Sequence, residues 1–441
     1  MTTTIFKKSL IAATIALATG QVHAAAFQLN EHSASGLGRA YAGEAAIADN
    51  ASVLARNPAA MTTFDKMAVS VSGTYIKPDV DVEGKTSGNL TLPNGASIPN
   101  VFNSDASASG IAPAAFVPAS YFIQPLNDQW AWGIGLFSNY GLSTEYDKNF
   151  AAGSGAGDTS LITFNINPNI AYRINEQLSI GAGINAVYGA AELNRFAGVL
   201  GKPTGTPAET SVAHLKGDTW GFGWNIGTLY EVNENHRFAL TYRSQVDMSF
   251  DGDFSGSTTT TKGATVDGNL KLDLPAQAEF AGYHRLNQQF AVHYSVNWTD
   301  WSAFQELNAT SASCNSPGKP GVCLYKPEKF KDSTRYSIGG TWYINPAWEA
   351  RLGFAYDNTP IEAEYRSLSI PDSDRIWYSA GATYHINTDM SVDFGMAYLD
   401  GKKVDVNEGL VSHDGTINNP RWQGTSHGNA FLASAQFNMK F

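Results

Sequence analysis

From Lys66 to the C-terminus the apolar residues recur with a period of two rather than 3.6, the signature of strands whose two faces meet different surroundings. Ser160 to Arg173 is the clearest case: Ile162, Phe164, Ile166, Pro168, Ile170 and Tyr172 fall on one face, and Thr163, Asn165, Asn167, Asn169 and Arg173 on the other. One face suits lipid, the other water. Comparable runs are Trp130/Trp132/Ile134/Leu136, Leu178/Ile180/Ala182/Ile184, Trp220/Phe222/Trp224/Ile226, Phe290/Val292/Tyr294/Val296/Trp298, Trp348/Ala350/Leu352/Phe354/Tyr356 and Met390/Val392/Phe394/Met396/Tyr398. Weaker segments near Met67, Phe116, Phe238, Phe280, Ile338 and Ile376, with a last run from Phe431 to Phe441, bring the count to about fourteen strands, an even number as outer-membrane barrels have. Lipid gives an open sheet edge no hydrogen-bond partners, so such a sheet must close on itself. The predicted fold is therefore all-β, a transmembrane antiparallel β-barrel over residues 65–441.

The connections alternate in length. Asn127-Asp128, Asn175 to Gln177, Asn233 to His236, Asn287 to Gln289, Asn345 to Ala347 and Asn387 to Asp389 read as tight turns. Phe196 to Asp218, Phe250 to Leu272, the stretch holding Cys314 and Cys323, and Gly401 to Gly428 are expected as long loops. Short turns face the periplasm and long loops the outside. The chain ends on Phe441, and a terminal aromatic on such a strand resembles the signal read by the outer-membrane barrel assembly machinery.

Two N-terminal segments break the pattern. Lys7 and Lys8, an apolar run from Leu10 to Ala18 and the small-residue exit at Val22-His23-Ala24 read as a signal peptide over residues 1–24. Residues 25–64 are rich in Ala, Gly and Ser, carry Glu31, Arg39, Glu44, Asp49 and Arg56, and suggest short helical pieces at Ala45 to Asp49 and Ala51 to Arg56. Too polar for lipid, this segment is expected to plug the lumen as a hatch.

Composition narrows the classes. The 441 residues are 43% hydrophobic but only 16% charged, against about a quarter in soluble proteins. A mean hydropathy of -0.21 and no mid-chain apolar run of about 18 residues exclude a bundle of transmembrane helices. The net charge is -11, and becomes -13 without Lys7 and Lys8, which argues against nucleic acid as a partner. Cys314 and Cys323 flank a Pro/Gly-rich loop and read as a disulfide in an exported chain. No CxxC spacing, HExxH or phosphate-binding glycine loop is present, and no metal or cofactor is expected. His293-Tyr294-Ser295 has the H-x-S spacing of an outer-membrane phospholipase. Strand parity sends His293 and Ser295 to the lumen, away from lipid, so no catalytic residues are assigned.

Three blocks, Phe27-Gln28-Leu29-Asn30-Glu31, Ser35-Gly36-Leu37-Gly38-Arg39-Ala40-Tyr41 and Arg56-Asn57-Pro58-Ala59, resemble the N-terminal hatch of the FadL family of outer-membrane long-chain fatty acid transporters. Further anchors are Ser138-Asn139-Tyr140-Gly141-Leu142, Asn194 to Gly198, Trp220 to Asn225, Leu240 to Ser244 and Ser369-Ile370-Pro371-Asp372. The resemblance spans the mature chain. It implies a fourteen-stranded barrel with an N-terminal hatch, located in the Gram-negative outer membrane among lipid and lipopolysaccharide. It further implies ligand capture in a groove between outer loops, transfer to a deep pocket, and passive sideways release through a kink in the third strand, here Ser138-Asn139-Tyr140-Gly141. A glycine within a strand can mark such a bend.

By the same resemblance Phe27 lines the deep pocket, Arg195 and Lys326 meet the ligand head group, Asp357 is a lumen acid near the deep site, and Asn57-Pro58-Ala59 is the hatch turn. Phe196, Val199 and Leu200, apolar on an otherwise polar loop, are nominated for the outer groove. Parity places apolar Val187, Leu229 and Leu399 inward, where a water-filled porin carries charges. The reading is a monomeric channel for long-chain fatty acids or another hydrophobic small molecule. The rival is a channel of the same family for aromatic or alkane hydrocarbons, which bring no carboxylate, and a general porin stands third.

Overall fold

The computed structural model describes residues 26–261, 263–316, 318–410 and 420–441; the expected signal peptide lies outside them. Fourteen antiparallel strands form one closed barrel. They are β1 (Ala68–Ser87), β2 (Ala115–Pro125), β3 (Trp130–Phe137, resuming as Gly141–Thr144), β4 (Gly157–Arg173) and β5 (Leu178–Phe196). Next come β6 (Ser211–Asn233), β7 (His236–Arg243, resuming as Ser249–Gly256), β8 (Thr265–Lys271, resuming as Gln277–Arg285), β9 (Phe290–Thr299, resuming as Glu306–Ser316) and β10 (Lys319–Pro327, resuming as Ser333–Asn345). β11 (Trp348–Asp357), β12 (Arg375–His385), β13 (Met390–Gly401, resuming as Val404–Gly409) and β14 (Arg421–Lys440) complete it. β1 pairs with β14 from Ala68↔Lys440 to Ser87↔Arg421, which removes the sheet edge that lipid cannot satisfy.

The alternation sorts the residues between two environments. Trp220, Phe222 and Trp224 on β6 are exposed, Phe222 to 70%, on the outer wall. In water so broad an apolar belt would drive association; around a barrel it is the lipid-facing band. The inward positions of the same region are polar. Asn165 and Asn167 of β4, Asn185 of β5 and Asn225 of β6 are buried and hydrogen-bond to one another, Asn165 Nδ2 to Asn185 Oδ1 at 2.8 Å and Asn167 Nδ2 to Asn225 Oδ1 at 2.8 Å. Val187, Leu229 and Leu399 are also inward and buried.

Four of the six tight turns share one device, a leading asparagine whose side-chain oxygen accepts the amides two and three residues on, at Asn127, Asn175, Asn287 and Asn345. The opposite end differs from expectation. Much of 196–218, 250–272 and 401–428 is strand rather than loop, because β5 to β8, β13 and β14 continue beyond the lipid belt. There both faces meet water or other protein, so the period-two signal fades while the hydrogen-bond ladder persists. Residues 411–419 of the last stretch lie outside the described residues. Cys314 and Cys323 are joined across the β9–β10 hairpin, S–S 2.07 Å.

Residues 26–64 fill the lumen as α1 (Ala34–Leu37), α2 (Glu44–Ile47) and two 3-10 turns, Ala51–Ala55 and Pro58–Thr63. The wall holds this hatch on several sides. Ala34 N donates to Gln436 Oε1 at 2.9 Å, Gly43 N to Ser295 Oγ at 2.9 Å, Arg335 to Ala40 O at 2.8 Å and Asn57 Nδ2 to Thr228 O at 3.0 Å. At Gly353 of β11 the hatch backbone approaches so closely that a Cβ would overlap the Arg39 carbonyl carbon. Inside the hatch, Arg39 is 1% exposed and pairs with buried Glu44 at 2.7 Å and with the more exposed Asp49 at 2.8 Å, which offsets the cost of burying the Arg39 and Glu44 charges.

Candidate ligand-binding site

Between the hatch and the long-loop end lies a narrow apolar cavity of about 40 Å³, lined among others by Phe27, Leu142, Leu193, Leu272, Phe304 and Ile370. Phe27 closes the inner end. It is 1% exposed and set edge-on to Trp301 at 4.5 Å, Phe304 at 5.3 Å and Tyr140 at 6.1 Å between ring centroids, geometries that aromatic quadrupoles favour.

Polar groups gather at the other end. Thr159 and Ser369 line the cavity and also hold Arg195, whose guanidinium donates to Thr159 Oγ1 at 3.1 Å and Ser369 Oγ at 2.8 Å. Lys326 Nζ lies 3.0 Å from Glu408 Oε1 and 3.7 Å from Glu328 Oε1. Glu408 also accepts the Leu368 amide at 2.8 Å, next to Ser369. Arg195, Lys326, Glu328 and Glu408 are each under 10% exposed. Sequence reasoning named the two cations and missed both acids, for nothing local to Glu328 or Glu408 distinguishes them from surface glutamates. Burial pushes the Glu328 carboxyl up to about 7, against the pull of Lys326 and with the push of Glu408.

The third strand carries the other feature. β2 and β3 pair from Pro125↔Ala131 to Ser120↔Leu136 and their ladder stops there, although β2 continues along β1 as far as Ile76↔Ala115. Beyond residues 138–140, β3 resumes on β4 at Gly141↔Ile162. The ladder between β2 and β3 thus has a gap, and the start of the hatch lies across it. Gln28 bridges Tyr140, Leu29 N donates to Asn139 O at 2.7 Å, and Gly141 N donates to Phe27 O at 2.8 Å. His32 spans both sides: its Nε2 is 3.0 Å from Ser138 O, and its carbonyl accepts Tyr121 of β2 at 3.0 Å and Ser72 of β1 at 3.2 Å.

Other nominated residues sit elsewhere. Asp357 does not line the cavity; it lies directly across from Arg335 on β10 and Arg375 on β12, in the wall facing the hatch. Phe196 and Val199 are each 2% exposed, and Leu200 packs beside Val199 in the apolar core of the loop cap, so they do not form an open groove. A loop that folds over its own apolar residues buries them. Asn57, Pro58 and Ala59 pin the hatch to β6: Asn57 Oδ1 caps the turn at Ala59 N, and at Gly227 a Cβ would overlap that oxygen. His293 and Ser295 have separate partners, Thr341 Oγ1 at 2.9 Å and Glu279 Oε1 at 2.8 Å.

Comparison with known proteins gives concordant results. The family described as outer membrane protein transport protein (OMPP1/FadL/TodX) matches residues 15–441. The long-chain fatty acid transport protein of Escherichia coli K12 is 43% identical, with 99% of each chain covered. Outer membrane protein P1 of Haemophilus influenzae is 40% identical over 91% of this chain and 92% of its own. Among solved structures, a Pseudomonas aeruginosa FadL homologue superposes with a TM-score of 0.80 at 21% identity, covering 95% of this chain and 100% of that one.

Proposed function

The chain belongs to the OMPP1/FadL/TodX family of outer-membrane transport proteins, and from that premise we propose that it is a passive importer of long-chain fatty acids. It is a β-barrel of the Gram-negative outer membrane and a transport channel, not an enzyme. Ligand arrives at the long-loop end, its carboxylate engages Arg195 and Lys326, and its chain runs down the apolar cavity toward Phe27. Each CH2 buried contributes about 0.8 kcal/mol, so the chain supplies most of the affinity and the cations select the head group. Displacement of Phe27–Leu29 from Asn139–Gly141 then uncovers the gap between β2 and β3, and the acid leaves sideways into the bilayer.

The observation that carries this reading is continuity: Thr159 and Ser369 belong to the cavity wall and also bind Arg195, while the cavity's other end is Phe27, whose carbonyl is bonded to Gly141. A second reading, import of neutral hydrocarbons, is favoured by Glu408, which already neutralises Lys326. One experiment separates them. Oleate and a hydrocarbon of similar length compete for the purified protein against a fluorescent fatty acid, before and after Arg195→Gln with Lys326→Gln. Fatty-acid import predicts a selective loss of oleate competition; equal behaviour of the two ligands in both proteins supports the hydrocarbon reading.

A further inference from the structure

The head-group end of the cavity carries a charge balance that an incoming anion disturbs. Two cations, Arg195 from β5 and Lys326 from β10, face two acids, Glu408 from β13 and Glu328 from the connection after β10's first segment, all buried. A third carboxylate would leave three negative charges against two positive ones in a region where water does not compensate them. Resting on the fatty-acid reading above, we infer that Glu328 takes up one proton when an anionic head group binds beside Arg195 and Lys326, so that the site accepts an anion together with a proton.

Geometry distinguishes the two acids. Glu408 lies 3.0 Å from Lys326 Nζ and accepts the Leu368 amide at 2.8 Å, two short contacts that favour a carboxylate over a carboxyl. Glu328 is 0% exposed, its nearest cationic nitrogen is 3.7 Å away, and among the described residues neither of its oxygens accepts a hydrogen bond. Its own amide is tied to Gln305 O at 2.9 Å, which fixes the backbone that carries the buried carboxyl. The charged and titratable groups acting on this pocket are Lys326, Glu408 and Arg195, with the Tyr146 phenol and Asp158 beyond Arg195. A neutral Glu328 restores the balance of two and two, while an ionised one repels the ligand. The carboxyl already rests near 7 because of its burial, so the proton is available at ordinary pH.

Linkage fixes the sign. The bound state holds the proton more tightly than the free state, so anion affinity falls as pH rises above about 7, by up to about tenfold per unit for one proton, and flattens below it. The test uses full-length protein in a nonionic detergent and decane sulfonate, whose head group stays ionised throughout, with decanol as the uncharged control. Calorimetry at pH 6 to 8.5 in two buffers of different ionisation enthalpy reads both affinity and protons taken up. The expected result is proton uptake approaching one per sulfonate above pH 7, lost in Glu328→Gln, retained in Glu328→Asp, and no pH dependence for decanol. A pH-independent sulfonate affinity, or an unchanged slope in Glu328→Gln, overturns the inference while leaving the head-group reading intact. Equal binding of sulfonate and decanol at every pH overturns the head-group reading, and the proton linkage with it.

Discussion

The amide of Gly141 donates to the carbonyl of Phe27 at 2.8 Å. This one contact joins a residue of the candidate cavity's lining to the residue at which the third strand resumes. On the proposed release route, displacing the Phe27 backbone breaks this contact. Phe27→Ala keeps that hydrogen bond and removes the ring packed on Trp301 and Phe304. The expected outcome is a loss of fatty-acid affinity of about 1 to 3 kcal/mol, roughly tenfold to a hundredfold, read by equilibrium titration.

His32 holds the gap at three points, Ser138 in the break of β3, Tyr121 of β2 and Ser72 of β1. Replacing it with alanine keeps the two bonds to its backbone carbonyl and removes the ring's contact with Ser138 O, which should loosen the hatch start on the β3 side without unfolding the barrel. Protease cleavage within residues 26–33 is expected to rise, while the heat-modifiable mobility of the barrel on gels stays unchanged; unaltered protection of this segment would count against the latch.

Neighbouring Glu31 and His32 bring opposite pH dependences to hatch docking. Burial raises the Glu31 carboxyl from 4.5 to about 7, so the docked hatch binds this proton more tightly than the released one, and docking weakens as pH climbs through that window. His32 is held well below its ordinary 6.5, chiefly by burial and then by Arg56 and Arg243, so docking weakens as pH drops below 6.5. The two trends oppose each other between 4.5 and 6.5. Glu31→Gln is expected to leave a hatch that loosens in acid, and His32→Gln one that loosens toward pH 7, both followed by hydrogen exchange of residues 26–40. A single shared trend in the two variants would refute this assignment.

Gly353 allows the Arg39 backbone to lie directly against β11. Gly353→Val should push the hatch off its seat and raise ion conductance in planar bilayers, with the strand content by circular dichroism unchanged. Conductance at the wild-type level would mean that the hatch is not held by this approach.

The barrel was legible wherever strands cross lipid, because there a residue's side of the wall fixes its polarity; Ile162 to Tyr172 could be assigned face by face. Beyond the lipid belt that constraint vanishes, and the extensions Ser249–Gly256 and Val404–Gly409 read as loops. The hatch stood out as the one polar, Ala- and Gly-rich segment in a chain of alternating strands. At the site, resemblance supplied Phe27, Arg195 and Lys326; Glu328, two residues beyond Lys326, looks like any surface glutamate until folding buries it, and Glu408 is brought to Lys326 only by the fold. Phe196 and Val199 misled because apolar residues on a loop serve its own packing as readily as a ligand's.

The central claim is that ligand leaves through the gap that Phe27–Leu29 covers. Gln28 and Tyr140 are bridge partners across it, so Gln28→Cys with Tyr140→Cys, in a Cys314→Ser/Cys323→Ser background, places a reversible cross-link there. Oleate uptake by cells carrying this protein is then measured oxidised and after reduction. The account predicts that the cross-link stops uptake and reduction restores it; uptake at the same rate in both states would contradict it.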